Sequence, residues 1–375
     1  MMKELVLLQP RELEQWWEKI QAKTDRLIGE IGDRSPHVSA SGLYDDMRID
    51  WWTSGFWPGM LWVLHGATGT EKYRDAAWDW DSRIEQCFVR ENNLHHDVGF
   101  QFALTAVIKH KLTSDGDARR RALAAANFLA GRFNLQGRFL RAWNQDKTGW
   151  AIIDSMMNLS LLFWASEETA DPRFRQIACA HADTVLRHFI REDGSVHHIV
   201  SFDPDTGEAA DFLGGQGYAP HSSWSRGQAW ALYGMARASR HSGNIRYLRA
   251  AQRVAHYFLS CLPEDGVPHW DFRAPDPGSQ PRDSSAASCA ASGLLEIADA
   301  LPETEGRMYR QAAERMLKSL SVKYATLDEP DYQGLLREGT GNKPAEQNVN
   351  VSLIYGDYFY VEAIAKLLGW SQRIF

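Results

Sequence analysis

The chain alternates between two kinds of hydrophobic pattern. In one, apolar residues recur every three or four positions opposite a charged face. Examples are DARRRALAAANFLAGRF (117–133), DPRFRQIACAHADTVLRHFI (171–190), NIRYLRAAQRVAHYFL (244–259) and GRMYRQAAERMLKSL (306–320). Such segments are helices with one wet side, and they belong on the outside of a fold. In the other kind, residues are apolar or small nearly all round. These are SGFWPGMLWVLHGAT (54–68), SMMNLSLLFWAS (155–166), SWSRGQAWALYGMA (223–236), DSSAASCAASGLLEIA (283–298), NVSLIYGDYFYVEAIAKLL (350–368) and, less purely, GFQFALTAVIKH (99–110). A helix without a polar face is buried on every side.

The amphipathic windows predict helices over 10–31, 54–68, 70–89, 97–113, 116–134, 154–168, 171–191, 223–242, 244–262, 283–301, 306–324 and 350–368. Asp171-Pro172 is a start signal, an N-cap followed by proline at the first helical position. Buried and half-exposed helices alternate with a weak repeat of roughly 60 residues, which predicts hairpins set in a ring. The expected fold is all-α, an (α/α)6 barrel. No linker or composition break interrupts it, so the expected organisation is one domain over 1–375. Strand signals are sparse: SVHHIVSFDPDTGE (195–208) predicts a short hairpin, followed by a long Gly-rich loop over 209–222.

In such a ring the inner helices run parallel, and their N-termini gather at one mouth. The unusual residues sit there: WWTSGFW (51–57), HHDVGF (95–100), IIDSMMN (152–158), HSSWSRGQAW (221–230) and PRDSSAA (281–287). Helix N-termini present unpaired N–H groups and positive partial charge, so the mouth favours an anionic ligand. Composition sharpens this. The net charge of −7 argues against a nucleic-acid binder. The 15 Trp residues suit either a large core or a cleft whose aromatic faces stack on sugar rings. Cys87, Cys179, Cys261 and Cys289 are far apart and form no CxxC, which argues against a zinc site or disulfide scaffold. The apolar run ended by Gln9-Pro10 is too short for a signal peptide, and no stretch reaches membrane-helix length. The expectation is a soluble cytoplasmic protein, with oligomeric state left open.

Asp97 and Asp154 both stand at starts of inner helices. N-capping is one reading of each. The other is chemistry: Asp154 is flanked by Ile152-Ile153 and Met156-Met157, and desolvation keeps such a carboxyl protonated near neutral pH. Two carboxyls in different surroundings suit acid/base work on sugars. His95-His96-Asp97 could suggest a metal, but no HExxH is present and adjacent histidines seldom ligate one ion, so no metal is expected. Trp224 and Gln228, and Arg226 and Trp230, are helical neighbours. Arg226 lies in the first turn, where it reads as a guanidinium gripping a carboxylate rather than as a structural ion pair. Asp283 reads as a helix cap first.

The blocks WTSGFWPGMLWVLHGATG, HHDVGFQF, IIDSMMNLSLLFWAS, SSWSRGQAWALYGMA, HWDFRAPDPGSQPRDSSAASCAASGLLEIA and YGDYFYVEA resemble unsaturated glucuronyl hydrolases, glycoside hydrolase family 88. The resemblance runs from about Trp51 to the last residue. It implies an (α/α)6 barrel that releases Δ4,5-unsaturated glucuronic acid from the non-reducing end of lyase-generated oligosaccharides. The implied reaction hydrates a vinyl ether and needs no cofactor. By matching blocks, Asp154 is the implied general acid/base and Asp97 its supporting carboxylate. Trp52, His96, Trp143, His198, Gln216, Trp224, Arg226 and Trp230 are the implied lining of the sugar site. EGTGNKPAEQ (338–347) lacks the aromatic residue common in the family, and Ser371 and Arg373 are candidates to meet a sulfate on the second sugar. The rival readings are an unsaturated rhamnogalacturonyl hydrolase, an N-acylglucosamine-type epimerase using His198, and a helical carbohydrate-binding protein without catalysis.

Overall fold

The computed structural model describes residues 8–90 and 92–375. The apolar run before Gln9 therefore lies, except for Leu8, outside the described residues. The helices are α1 (Pro10–Ile31), α2 (Phe56–Thr68), α3 (Glu71–Ala77), α4 (Trp80–Glu85), α5 (Val98–Phe102), α6 (Ile108–Thr113), α7 (Gly116–Ala130), α8 (Ser155–Thr169), α9 (Pro172–His188), α10 (Ser225–Ser242), α11 (Ile245–Ser260), α12 (Ser284–Asp299), α13 (Glu303–Ser319) and α14 (Ile354–Leu367). A π-helical segment, Ala103–Val107, joins α5 to α6 in one rod, and α3, α4 and a short 3₁₀ turn fill the single helix expected over 70–89. The rods match the expected spans to within a few residues.

The inner helices α2, α5–α6, α8, α10, α12 and α14 pack each on the next, and α14 packs back on α2, so the ring closes. Burial follows the sequence pattern. Every residue from Ser225 to Ser239 in α10, and from Ser284 to Ala298 in α12, is buried. The outer helices bury one face only, as α11 does through Tyr247, Leu248, Ala251, Val254 and Phe258. Asp171 accepts the Arg173 N–H with Pro172 at the first helical position, as its dipeptide predicts. Small residues let the inner helices approach: a Cβ at Gly234 of α10 would lie 2.5 Å from Met156 Cβ on α8.

The mouth is visible in contacts between first turns. Gln101 Nε2 donates to Trp51 O and to Ser54 Oγ, both just before α2. Asn158, in the first turn of α8, bonds Asp97 and Phe100 at the start of α5. Arg226, in the first turn of α10, pairs with Asp283 at the start of α12. Tyr355, at the start of α14, lies 4.9 Å from the Trp52 ring.

Two expectations change. The segment 209–222 is not all loop: Ala209–Leu213 is a strand that pairs antiparallel with Ile199–Phe202, and this in turn pairs with Trp150–Ile152. The hairpin is thus longer than expected, and its third strand comes from the segment leading into Asp154. The second change concerns Arg373. It pairs with Asp299 at 2.5 Å and Glu296 at 3.5 Å, in the last turn of α12. That is the opposite end of the ring from the mouth, roughly 20 Å away along a helix of this length. Arg373 therefore ties the C-terminal segment down and does not meet a second sugar. The same segment seats the Phe375 ring 5.7 Å from Phe100 and 5.8 Å from Phe359.

Candidate active site

Asp97 and Asp154 occupy N-cap positions of α5 and α8, yet neither side chain accepts a capping hydrogen bond. Their carboxyls line a cavity of about 410 Å³ at the mouth. Trp52, His96, Trp143, Gln216 and Arg226 line it too, as the sequence blocks implied. Burial pushes Asp97 up to about 8, with the charge of Asp154 adding to the rise. Burial likewise pushes Asp154 up to about 7, while the Arg226 guanidinium draws it down. Two carboxyls this close to neutrality and to each other hold one proton between them over part of the physiological range.

Three buried polar atoms here have no hydrogen-bond partner among the described residues: His96 Nε2, Asp154 Oδ2 and His198 Nε2. Buried polar groups are seldom left so, and those of a binding site find partners in the ligand. His198 reaches Asp154 from the sheet. Its Nδ1 accepts the Gln216 N–H at 3.0 Å and lies 3.1 Å from Gly214 O, and its ring rests 4.3 Å from Trp224. Burial pushes His198 down to about 3, so the ring is neutral. His96 Nδ1 is held 2.9 Å from Ser155 Oγ, and burial pushes this imidazole well down too.

Arg226 has a different task from the one expected. One terminal nitrogen donates to Asp283 Oδ2 and Thr340 O, the other to Gln216 Oε1 and Gly341 O. Four bonds use both terminal nitrogens, so the buried cation is first a structural ion pair. Its remaining influence is the charge it places near Asp154 and the orientation it imposes on Gln216, whose amide nitrogen is left for a ligand. Asp283 does cap α12, accepting from Ser285 and Ala286, and also neutralises this guanidinium.

Trp224 stands one layer back from the cavity, behind His198 and 4.6 Å from the Arg226 guanidinium. Trp230 is fully buried one turn below Arg226 and packs 5.4 Å from both Phe100 and Phe359, and its indole Nε1 has no hydrogen-bond partner among the described residues. Sequence reasoning passed over Asn158 and Lys147. Asn158 had a signal: an amide on a helix buried all round needs a partner. Lys147 lines the cavity wall with its ammonium 4.8 Å from the Trp150 ring and 5.2 Å from that of Trp143.

His95, His96 and Asp97 bring three possible ligand atoms within 4.8 Å of one another. Asp97 Oδ1 accepts the Asn158 N–H at 2.8 Å and His96 Nδ1 is engaged with Ser155, while His96 Nε2 has no hydrogen bond among the described residues.

Comparison with known proteins bears on the fold and the family. Residues 23–375 match the family described as Glycosyl Hydrolase Family 88. The unsaturated glucuronyl hydrolase of Bacillus sp. (strain GL1) is 40% identical over 352 residues, covering 92% of this chain and 93% of that one. The unsaturated chondroitin disaccharide hydrolase of Streptococcus pyogenes serotype M1 is 35% identical over 321 residues, covering 84% and 80%. The crystal structure of the Bacillus sp. GL1 enzyme superposes with a TM-score of 0.92 at 38% identity, over 95% of this chain and 99% of that one. Likeness this broad, at identities well above those of a shared fold alone, means that the chain belongs to glycosyl hydrolase family 88.

Proposed function

We propose that this glycoside hydrolase releases Δ4,5-unsaturated glucuronic acid from the non-reducing end of lyase-generated oligosaccharides, by hydrating the C4=C5 vinyl ether. The observation that carries this is Asp154: its carboxyl is raised to about 7, and its buried Oδ2 has no hydrogen-bond partner among the described residues at the cavity. A vinyl-ether carbon is a weak base and needs a true acid held protonated at working pH. Asp154 gives its proton to C4, and positive charge develops at C5 and the ring oxygen. The Asp97 carboxylate stabilises that charge. Water adds to C5 and yields its proton to Asp154, which restores the acid. The product is a hemiketal, whose ring opens and expels the second sugar.

The supporting roles follow from position. Trp52 and Trp143 offer faces for the flattened ring. Gln216, oriented by Arg226, presents its amide N–H groups to the substrate carboxylate. His96 Nε2 and His198 Nε2 face ring oxygens. The steps call for no metal and no organic cofactor. One closed ring of helices supports a single catalytic domain over 1–375. Four cysteines without a disulfide among the described residues fit a reducing compartment and support a cytoplasmic site of action. No helix among the described residues is long and apolar enough to cross a membrane.

The test is ultraviolet absorbance over time with unsaturated chondroitin, hyaluronan and heparin disaccharides, since loss of the conjugated bond is seen directly. Decay is expected with the wild type and not with Asp154→Asn, and the ranking of substrates names the polysaccharide. Stable absorbance on all of them would reject the reading and direct attention to unsaturated rhamnogalacturonan fragments.

A further inference from the structure

Asn158 is wholly buried one turn beyond Asp154, on the same face of α8. Its amide orientation is forced. Oδ1 accepts the Phe100 backbone N–H at 2.7 Å, so the nitrogen must point the other way. There it donates to Asp97 Oδ1 at 2.8 Å. The same nitrogen lies 3.4 Å from the Asp154 carbonyl oxygen and 3.4 Å from His96 Nδ1. The seat is close-fitting: a Cβ at Gly99 would lie 2.5 Å from Asn158 Cα, Cβ and Oδ1. Asn158 thus clamps α5 to α8 where each contributes its carboxyl.

An amide N–H only donates, and its bond is stronger to a carboxylate than to a neutral acid. No such donor reaches Asp154 Oδ2 among the described residues. We propose that Asn158 is a positioning residue that biases the shared proton of the pair away from Asp97: its donation favours the Asp97 anion and so favours the proton on Asp154, the group that must protonate C4. The proposal rests on the hydration reading above.

The other charged and titratable groups around the pair are His95, His96, His198, Arg132 and Arg226, with Asp50, Asp146 and Lys147 on the wall of the same cavity. His95 Nδ1 lies 3.7 Å from Asp97 Oδ2, and His96 Nε2 lies 3.5 Å from Asp97 Oδ1. His198 faces Asp154, and burial lowers all three imidazoles, so they carry no charge at neutral pH. Arg132 favours the Asp97 anion from a distance, in the same direction as Asn158. Arg226 favours ionised Asp154 and so works against it. Asn158 is the direct side-chain donor to Asp97 and works against the burial and the Asp154 charge, which still leave Asp97 the higher of the two in the free protein.

Asn158→Asp keeps an acceptor for the Phe100 N–H and removes the donor to Asp97. The measurement is kcat and KM on an unsaturated disaccharide across the acid and neutral range. The expected result is a fall in kcat of roughly ten-fold or more, the lower end of what a misplaced proton costs, with KM held within about two-fold. The acid limb of kcat/KM moves to higher pH, because Asp97 then captures the proton more readily. Asn158→Ser fills less space and gives the same displacement should Asn158→Asp not fold. An acid limb that stays in place in the folded variant, or a loss confined to KM, overturns the proposal. A wild type that turns over no unsaturated disaccharide overturns the hydration reading, and this proposal with it.

Discussion

Asp154 Oδ2 and His198 Nε2 face each other across 3.7 Å at the mouth of the ring, both buried and neither with a hydrogen bond to any described residue. The gap is wider than a hydrogen bond and narrower than two such contacts in series. It suits an acid that must give its proton to substrate rather than to a neighbouring side chain.

Asp154→Asn removes that proton while keeping the shape. Turnover is expected to fall by about 10²–10⁴-fold, the usual contribution of a general acid/base. Binding of an unsaturated disaccharide, measured by calorimetry on the inactive variant, is expected to stay within about three-fold of the wild-type KM. Near-normal turnover would remove Asp154 from the mechanism.

The pH profile follows from the two raised carboxyls. Burial pushes Asp97 to about 8 and Asp154 to about 7, so activity persists while the pair retains one proton and is lost as pH rises past that range. Stability runs in the same direction. A carboxyl raised on folding contributes most below its unfolded value and loses that contribution as pH climbs through its folded value. Asp154→Asn is therefore expected to raise Tm at alkaline pH, relative to wild type, and to do so less at acid pH. A Tm difference independent of pH would contradict the assignment.

Arg373→Ala tests the placement of the C-terminal segment. Arg373 is mostly buried against Glu296 and Asp299, so its loss costs about 1–3 kcal/mol and lowers Tm. The ratio of rates on sulfated and unsulfated disaccharides is expected to remain that of the wild type. A changed ratio would bring Arg373 back to the sugar site.

Asp283→Ala strips the buried Arg226 of its only carboxylate partner within 4.0 Å among the described residues. Breaking a buried pair from one side costs about 3–5 kcal/mol because the remaining charge stays uncompensated. Thermal denaturation should show this directly. KM should rise as well, since Gln216 is held by the same guanidinium. Unchanged stability would mean that Arg226 finds another anion.

Much of this protein is written locally. Period-3.6 patterns mark where each rod begins and ends, because burying an apolar stripe or a whole apolar surface is decided within a helix length. The alternation of the two patterns predicts a ring, and the Asp residues at helix starts follow from position alone. The tertiary structure decided what depends on residues far apart in the chain. Whether Asp97 and Asp154 cap their helices or face a cavity was set by neighbouring rods. Arg226 could be read as a ligand-binding cation until Asp283, Thr340 and Gly341 closed around it. Trp230 has the spacing of a sugar-lining residue, and only the assembled ring buries it fully between Phe100 and Phe359. Arg373 lies at the far end for the same reason. Helix formation is a local balance, whereas ion pairs, orphaned polar atoms and cavity walls exist only once distant segments are brought together.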